Sequence, residues 1–396
     1  MKSEMKVTLL TGGRDKPYTF GLVRALISKG VGVDFIGSDE LDSPEWHGTP
    51  HVRFLNLRGD MREDANLSKK MLRVLIYYIR LIFYAATAEP KIFHILWNNK
   101  FETLDRVFLM LYYKLLGKKT LLTVHNVNVR ARDANDNWLN RLTLKIQYQL
   151  VDHLFVHTER MKSELMEQFN VSASAISLIP FGVNSAAPET GLTPGEAKQQ
   201  LGFMEDERTI LFFGSIAPYK GLDILVAAFQ QIVTNRHDYR LIIAGWAKNC
   251  EKYWKSIQEA ITPDIKRGRI ILINDFIPDD VTEVYFKAAD VLILPYKQVY
   301  QSGVLVLGYR FGLPVIATDV GSLKESIVEG ETGLVCRPEN PEDLARTIST
   351  YFGSDLYKNL KVNRKKIMDY ANERYSWHTV GEITHTVYRN QLRPRA

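Results

Sequence analysis

Short apolar runs alternate along this chain with longer segments in which apolar residues recur every three or four positions. Residues 5–10 form such a run, ending in Thr11-Gly12-Gly13. A helical pattern follows over 18–29, with Phe20, Leu22, Val23, Leu26 and Ile27 on one side, and then a second run at 31–36. Strand, glycine loop, helix, strand is a βαβ unit. The same rhythm predicts strands at 52–57, 92–95, 120–124 and 153–156, with helices at 67–86, 103–116 and 139–150. Such alternation implies a parallel sheet covered by helices on both faces.

The rhythm breaks at 176–201, where Pro180, Gly182, Pro188, Gly191, Pro194 and Gly195 stand among small polar residues. That stretch predicts an interdomain linker ending in a short helix from about Thr193. Alternation then restarts, with strands at 209–213, 240–244, 270–273, 291–294 and 315–317. Helices are expected at 222–233, 253–261, 280–288, 303–310, 323–328 and 341–352. The fold class is therefore α/β, two doubly wound Rossmann-like domains facing across a cleft. The expected divisions are a first Rossmann-like domain at 1–185, a second at 186–375 and a terminal segment at 376–396. A length of 396 residues suits two domains.

Composition narrows the class. Hydrophobic residues make up 45% and charged residues 24%, which excludes disordered, collagen-like and polytopic membrane chains. Two cysteines, Cys250 and Cys336, cannot build a disulfide framework or a zinc cluster and fit a reducing cytoplasm. The N-terminus runs straight into a strand pattern, so no signal peptide is expected. Charge is uneven: residues 1–180 hold 25 Lys+Arg against 19 Asp+Glu, while the remainder balances. A basic half suits an anionic partner such as a membrane surface, or is an ordinary solvated face. One helix pattern sharpens that choice. Residues 69–86 read KKMLRVLIYYIRLIFYAA, too short and too charged to span a bilayer. It is either a core helix of the first domain or a basic, aromatic helix lying on a membrane. No basic arm or nucleic-acid motif is present, so no nucleic-acid partner is expected.

Open α/β sheets bind ligands beyond the carboxyl ends of their strands, which singles out the loops there. The first is Gly214-Ser215-Ile216-Ala217-Pro218-Tyr219-Lys220-Gly221. Its glycine permits close backbone approach, and Lys220 stands at a helix N-terminus that already favours anions. It reads as a diphosphate cradle or as a turn with a surface lysine. The second is Gln301-Ser302-Gly303-Val304, where Ser302 is an N-cap and the amides of Gly303 and Val304 are open to an anion, unless simple capping is their whole role. The third is Asp319-Val320-Gly321-Ser322-Leu323-Lys324-Glu325, in which Glu325 either caps a helix or accepts a sugar hydroxyl. In the first half, the Gly12-Gly13-Arg14 loop lacks the GxGxxG spacing of a dinucleotide site. His125, in Thr123-Val124-His125-Asn126, ends a strand and is either a substrate contact or a structural histidine. Asp279-Asp280 reads as a helix cap, not a metal pair.

Taken together, FFGSIAPYKGLDILVAAF, AADVLILPY, GLPVIATDVGSLKESI and GETGLV resemble the donor-site segments of the retaining GT-B glycosyltransferases of family 4. The Gly12-Gly13 loop, TVHN and the terminal YSWHTVG resemble other features of that family, and the likeness covers nearly the whole chain; it implies that 1–185 binds the acceptor, that 186–375 binds the nucleotide sugar, and that a helix in 376–396 returns to the first domain. The resemblance implies a nucleotide diphosphate sugar as donor, a glycan or lipid-linked acceptor, no metal cofactor, and a place in polysaccharide biosynthesis at the cytoplasmic membrane face. It assigns the diphosphate to Lys220, the terminal phosphate to amides at Ser302 and Gly303, the base to backbone near Phe276, and the sugar or acceptor to His125. Two departures stand out. The family's loop arginine falls on Ser215, and its two glutamates fall on Val299 and Leu307, with Gln301-Ser302-Gly303 in their place. Arg14 or Lys297 would then supply the missing positive charge. Rival readings are a nucleotide-sugar epimerase on the same fold and a binding protein without turnover.

Overall fold

The computed structural model describes residues 5–12, 15–61, 66–99, 101–132, 135–183, 188–234, 236–247 and 250–393. Two compact units divide the chain: Met1–Gly182 with Ser376–Ala396, and Val183–Tyr375.

The first unit is a seven-stranded parallel sheet in the order β3-β2-β1-β4-β5-β6-β7. Its strands are β1 (Lys6–Leu10), β2 (Gly32–Gly37), β3 (Val52–Asn56), β4 (Ile92–Ile95), β5 (Lys119–Thr123), β6 (His153–Val156) and β7 (Ile176–Leu178). Its helices are α1 (Lys16–Ile27), α2 (Leu67–Thr87), α3 (Met110–Leu115), α4 (Val129–Arg132), α5 (Trp138–Leu150) and α6 (Glu159–Phe169). A π-helical stretch, Leu104–Leu109, leads into α3. Strands buried on both faces read as continuous apolar runs, which is why the sequence marks them. The chain's last helix, Trp377–Leu392, closes this unit. Val380, Val387 and Tyr388 join the core of α1 and β1, and Tyr388 Oη lies 2.7 Å from His94 Nδ1. Gly21 and Gly182 must be glycine, because a β-carbon at either would overlap the Trp377 ring.

The second unit is a six-stranded parallel sheet in the order β10-β9-β8-β11-β12-β13. Its strands are β8 (Arg208–Phe213), β9 (Tyr239–Ala244), β10 (Ile270–Ile273), β11 (Val291–Leu294), β12 (Val315–Thr318) and β13 (Gly333–Cys336). Its helices are α7 (Pro194–Gln200), α8 (Leu222–Val233), α9 (Glu251–Lys266), α10 (Asp279–Ala288), α11 (Gly303–Arg310), α12 (Pro341–Gly353), α13 (Asp355–Lys358) and α14 (Leu360–Arg374). Thr193 and Glu196 form a capping box that starts α7. A buried ion pair, Lys198 Nζ to Asp290 Oδ2 at 3.0 Å, ties α7 to the loop before β11.

Several elements depart from the expected pattern, among them β13, α4 and α13, at which no element is expected. The linker stretch contains β7, which pairs with β6; three residues are too few to show a period. Helix α6 buries only Met161, Leu165 and Phe169 of its 11 residues, so its apolar stripe is one residue wide. Helix α14 buries Arg364, Ile367 and Ala371, too polar a set to register. The helix expected at 323–328 is a single 3₁₀ turn, Lys324–Ser326. The core-helix reading of 69–86 fails on one side. Tyr77, Tyr78, Leu81 and Ala85 of α2 are buried, but Leu72, Leu75, Ile79 and Phe83 lie on the surface.

Candidate functional site

In the second unit the apolar strand β8 ends at Gly214, where the chain turns with φ +99°. Its N–H donates to the Ala244 carbonyl at 2.9 Å, and a β-carbon on Gly245 would overlap the Gly214 carbonyl. Backbone is thus pinned on both sides of a turn that L side chains avoid. Ser215 is exposed, and Ile216 N–H bonds back to the Trp246 carbonyl at 2.8 Å. A 3₁₀ turn, Pro218–Lys220, then delivers the chain to Gly221, which precedes α8. Gly221 sits so close to the Pro295 carbonyl that no β-carbon fits.

This packing brings Lys220 inward. The residue is 8% exposed, with Nζ 5.7 Å from the centroid of the Tyr296 ring and 3.2 Å from where a Gly214 β-carbon would stand. The same point lies 3.5 Å from a Val304 methyl. Tyr296 Oη is 3.5 Å from Ser302 Oγ, which accepts the Leu305 N–H at 3.4 Å and caps α11. Gly214, Lys220, Ser302, Gly303 and Val304 therefore meet at one strand edge, beside the positive end of a helix. Gln301 is half-buried in the same loop. The next loop packs on it: Ser322 N–H donates to the Tyr300 carbonyl at 3.3 Å, and Gly321 abuts the Val299 carbonyl. Glu325 is exposed on its 3₁₀ turn, so it caps no helix. Phe276 is 70% exposed beyond β10, its N–H bonded to Asp275 Oδ1 at 2.7 Å. Asn274 of that loop accepts the Ala247 N–H at 3.1 Å, which connects it to the β9 loop and so to Ile216.

Lys297 is engaged by a carboxylate. Its Nζ is 2.7 Å from Asp223 Oδ2, and Asp223 Oδ1 accepts from Tyr253 Oη at 2.9 Å. Arg14 and Gly13 lie outside the described residues. Sequence reasoning passed over Tyr296, whose ring floors the Lys220 site, and Gly245, whose missing β-carbon permits the Gly214 turn. The only signal for either is a position just past a strand.

The first unit gathers a second set at the ends of β1, β4 and β5. Gly12, with φ +62°, has no room for a β-carbon beside Trp97. The Trp97 ring stacks on His125 at 4.3 Å and 4°. Tyr18 meets the same imidazole edge-on at 4.8 Å. Arg58, unremarked in the sequence, donates to the Gly12 carbonyl.

Hydrogen bonds fix the tautomers. Burial lowers His157 to about 4, so it is neutral. Its Nδ1 lies 3.1 Å from the Ile179 carbonyl, an acceptor, so Nδ1 carries the proton. His157 Nε2 then accepts from His125 Nδ1 at 3.2 Å. Burial, and secondarily the nearby His157, hold His125 well below the ordinary histidine range, so it is neutral too. Its Nε2 is left as an acceptor, buried and without a hydrogen-bond partner among the described residues. Such an atom suits a hydroxyl donor. No cluster of three or more His, Cys, Asp or Glu suited to a metal occurs among the described residues.

Two doubly wound parallel sheets, each with glycine loops gathered at its strand ends, define a GT-B protein. Residues 17–187 match the family described as Glycosyltransferase Family 4, and residues 207–353 match that described as Glycosyl transferases group 1. The chain belongs to these glycosyltransferases. It is 27% identical over 237 residues to an uncharacterized glycosyltransferase of Methanocaldococcus jannaschii, covering 59% of this chain and 58% of that one. It spans 54% and 65% of two further curated relatives, D-inositol 3-phosphate glycosyltransferases of Acidothermus cellulolyticus and Corynebacterium aurimucosum. Among solved structures, sucrose-phosphate synthase from Thermosynechococcus elongatus superposes with a TM-score of 0.78 at 20% identity, over 98% of each chain. Anabaena HepE, in complex with UDP-glucose, superposes with 0.73 at 15% identity, over 98% of this chain and 100% of that one. At these identities the superpositions establish the fold.

Proposed function

We propose that this protein transfers a hexose, with retention, from a nucleotide diphosphate sugar to a glycan or lipid-linked acceptor at the cytoplasmic face of a membrane. The observation that carries this reading is the convergence of the Lys220 ammonium, the Gly214 turn and the capped start of α11 at one strand edge. When the glycosyl bond breaks, negative charge grows on the departing diphosphate. A buried ammonium and preoriented amides would stabilise it, each worth roughly a few kcal/mol when well placed. Retention follows if the acceptor approaches the face the diphosphate leaves, giving its proton to a phosphate oxygen. His125 Nε2 would accept a hydroxyl of the sugar or the acceptor and so orient it. Because lysine and amides supply the charge, the reading requires no metal. The relatives named as glycosyltransferases and the neighbour in complex with UDP-glucose support the donor class.

The test is turnover of a panel of UDP-, GDP- and ADP-sugars by wild type and Lys220→Ala. The variant should lose about 100- to 1,000-fold in kcat, as loss of one oxyanion donor does elsewhere. Turnover of none of the donors, or full activity in the variant, refutes the reading. Conversion of a donor without acceptor, into an isomeric nucleotide sugar, would make the protein an epimerase.

A further inference from the structure

Helix α2 has two apolar faces, and only one of them is used by the fold. The inner face is seated: Tyr84 Oη donates to Asp34 Oδ2 at 2.7 Å, Tyr78 Oη donates to Asp105 Oδ1 at 3.0 Å, and Leu81 and Ala85 are fully packed. The outer face presents Met71, Leu72, Leu75, Ile79, Ile82 and Phe83 to solvent, with Leu75 at 58% and Phe83 at 69% exposure. Helix α3 extends this surface. Tyr112 Oη donates to the Ile82 carbonyl at 3.0 Å, which holds the two helices side by side. Phe108 of the π-helical stretch and Leu111 and Leu115 of α3 are exposed as well, Leu115 at 86%. Soluble proteins rarely leave so continuous an apolar surface uncovered without an interaction to serve.

The charges on this surface have one sign. Lys69 and Arg80 of α2 and Lys114 of α3 are exposed among the apolar residues. Helix α2 contains no Asp or Glu, and Asp105, at the start of the π-helical stretch, is buried. Long basic side chains can lay their stems on apolar surface and lift their ends to water or phosphate. No helix among the described residues is long and apolar enough to cross a membrane, so the surface lies on its partner and does not pierce it. A second copy of this chain would bring cation against cation, which disfavours self-pairing.

We propose that the outer face of α2 and α3 docks on an anionic lipid bilayer, with Leu75, Ile79, Phe83, Phe108 and Leu115 entering the headgroup–acyl boundary and Lys69, Arg80 and Lys114 contacting lipid phosphates. This deepens the membrane part of the function proposed above and is independent of the donor site. The protein is mixed, without donor, with vesicles of phosphatidylcholine alone or containing roughly 30% phosphatidylglycerol, in about 0.1 M salt, and bound protein is measured by flotation. Wild type should float with the anionic vesicles, at least about tenfold better than with neutral ones, and salt near 1 M should release part of it. Leu75→Glu/Phe83→Glu and, separately, Arg80→Glu should each lower binding by about tenfold or more while the melting temperature stays at the wild-type value, as does affinity for whichever of UDP, GDP and ADP wild type binds in calorimetry. Absence of vesicle binding, or undiminished binding by the folded variants, overturns the proposal. So does a wild-type dimer in sedimentation that Leu75→Glu/Phe83→Glu splits, which would assign the face to a second copy. Donor turnover that fails while vesicles still bind would sink the transfer reading alone.

Discussion

Replacing Gly214 by alanine tests the geometry at the centre of the second unit. Position 214 has φ +99°, and the new methyl would stand 3.2 Å from Lys220 Nζ and 3.5 Å from Val304 Cγ2. The backbone has little room to relax, because its N–H is bonded to the Ala244 carbonyl and its own carbonyl is packed against Gly245. Strain of this kind costs about 1–3 kcal/mol. A unit of this size loses about 2–4 °C per kcal/mol, so its melting temperature should fall by about 2–12 °C. The contact with Lys220 is relieved most easily by moving the lysine, whose flexible end yields before backbone does. A charge-assisted contact is worth about 1.5–3 kcal/mol, which sets an upper limit of roughly 10- to 150-fold on the loss of nucleotide affinity. Calorimetry with UDP, GDP and ADP measures that loss, and scanning calorimetry the stability. The two effects separate in a double-variant cycle. In a Lys220→Ala background, Gly214→Ala should still lower the melting temperature but should no longer weaken binding. An unchanged melting temperature, or an equal loss of affinity with and without Lys220, would show that the turn does not position the ammonium.

Other expectations follow from buried charges. Asp290→Ala strands the Lys198 ammonium in the interior and should cost about 3–5 kcal/mol, whereas the paired change Asp290→Leu/Lys198→Met should cost far less; equal losses by urea denaturation would refute the pairing argument. Burial holds His94 at about 3 and His153 and His157 at about 4, below the value of roughly 6.5 in an unfolded chain. Since folded values are depressed, this stability is complete above about pH 6.5 and drains away as pH falls towards 4, so the first unit should melt at steadily lower temperature over that window. A flat profile in tryptophan fluorescence, or the same slope in His157→Gln, would contradict it. Hydrogen bonds chiefly from the Arg337 N–H, then from Arg346, lower Asp343 to about 2, so its contribution is present above about pH 4 and lost as pH falls to about 2; Asp343→Asn should remove that part of the acid profile in the second unit.

Much of the fold was legible because buried parallel strands are continuous apolar runs, and their helices carry wide apolar stripes. Elements held by few buried side chains, such as β7, α6 and α14, gave no such signal. At the site, sequence position alone marked Gly214, Lys220 and Ser302, since loops after strands gather at one edge of a doubly wound sheet. It could not mark Tyr296 or Arg58, whose roles come from what lies beside them, nor show that Lys297 is neutralised by Asp223 across 74 positions of chain.

By itself, then, the order of residues determined the two-sheet architecture, the strand ends where chemistry gathers, and a basic, apolar helix near residue 75, because periodicity and chain punctuation are local properties. Tertiary structure decided which tautomer His125 holds, which cation stays beside the glycine turn, and that α2 seats its tyrosines inward and leaves its leucines outward. These depend on burial and on partners distant in sequence, and a side chain's charge state and exposure are set by neighbours that only folding supplies.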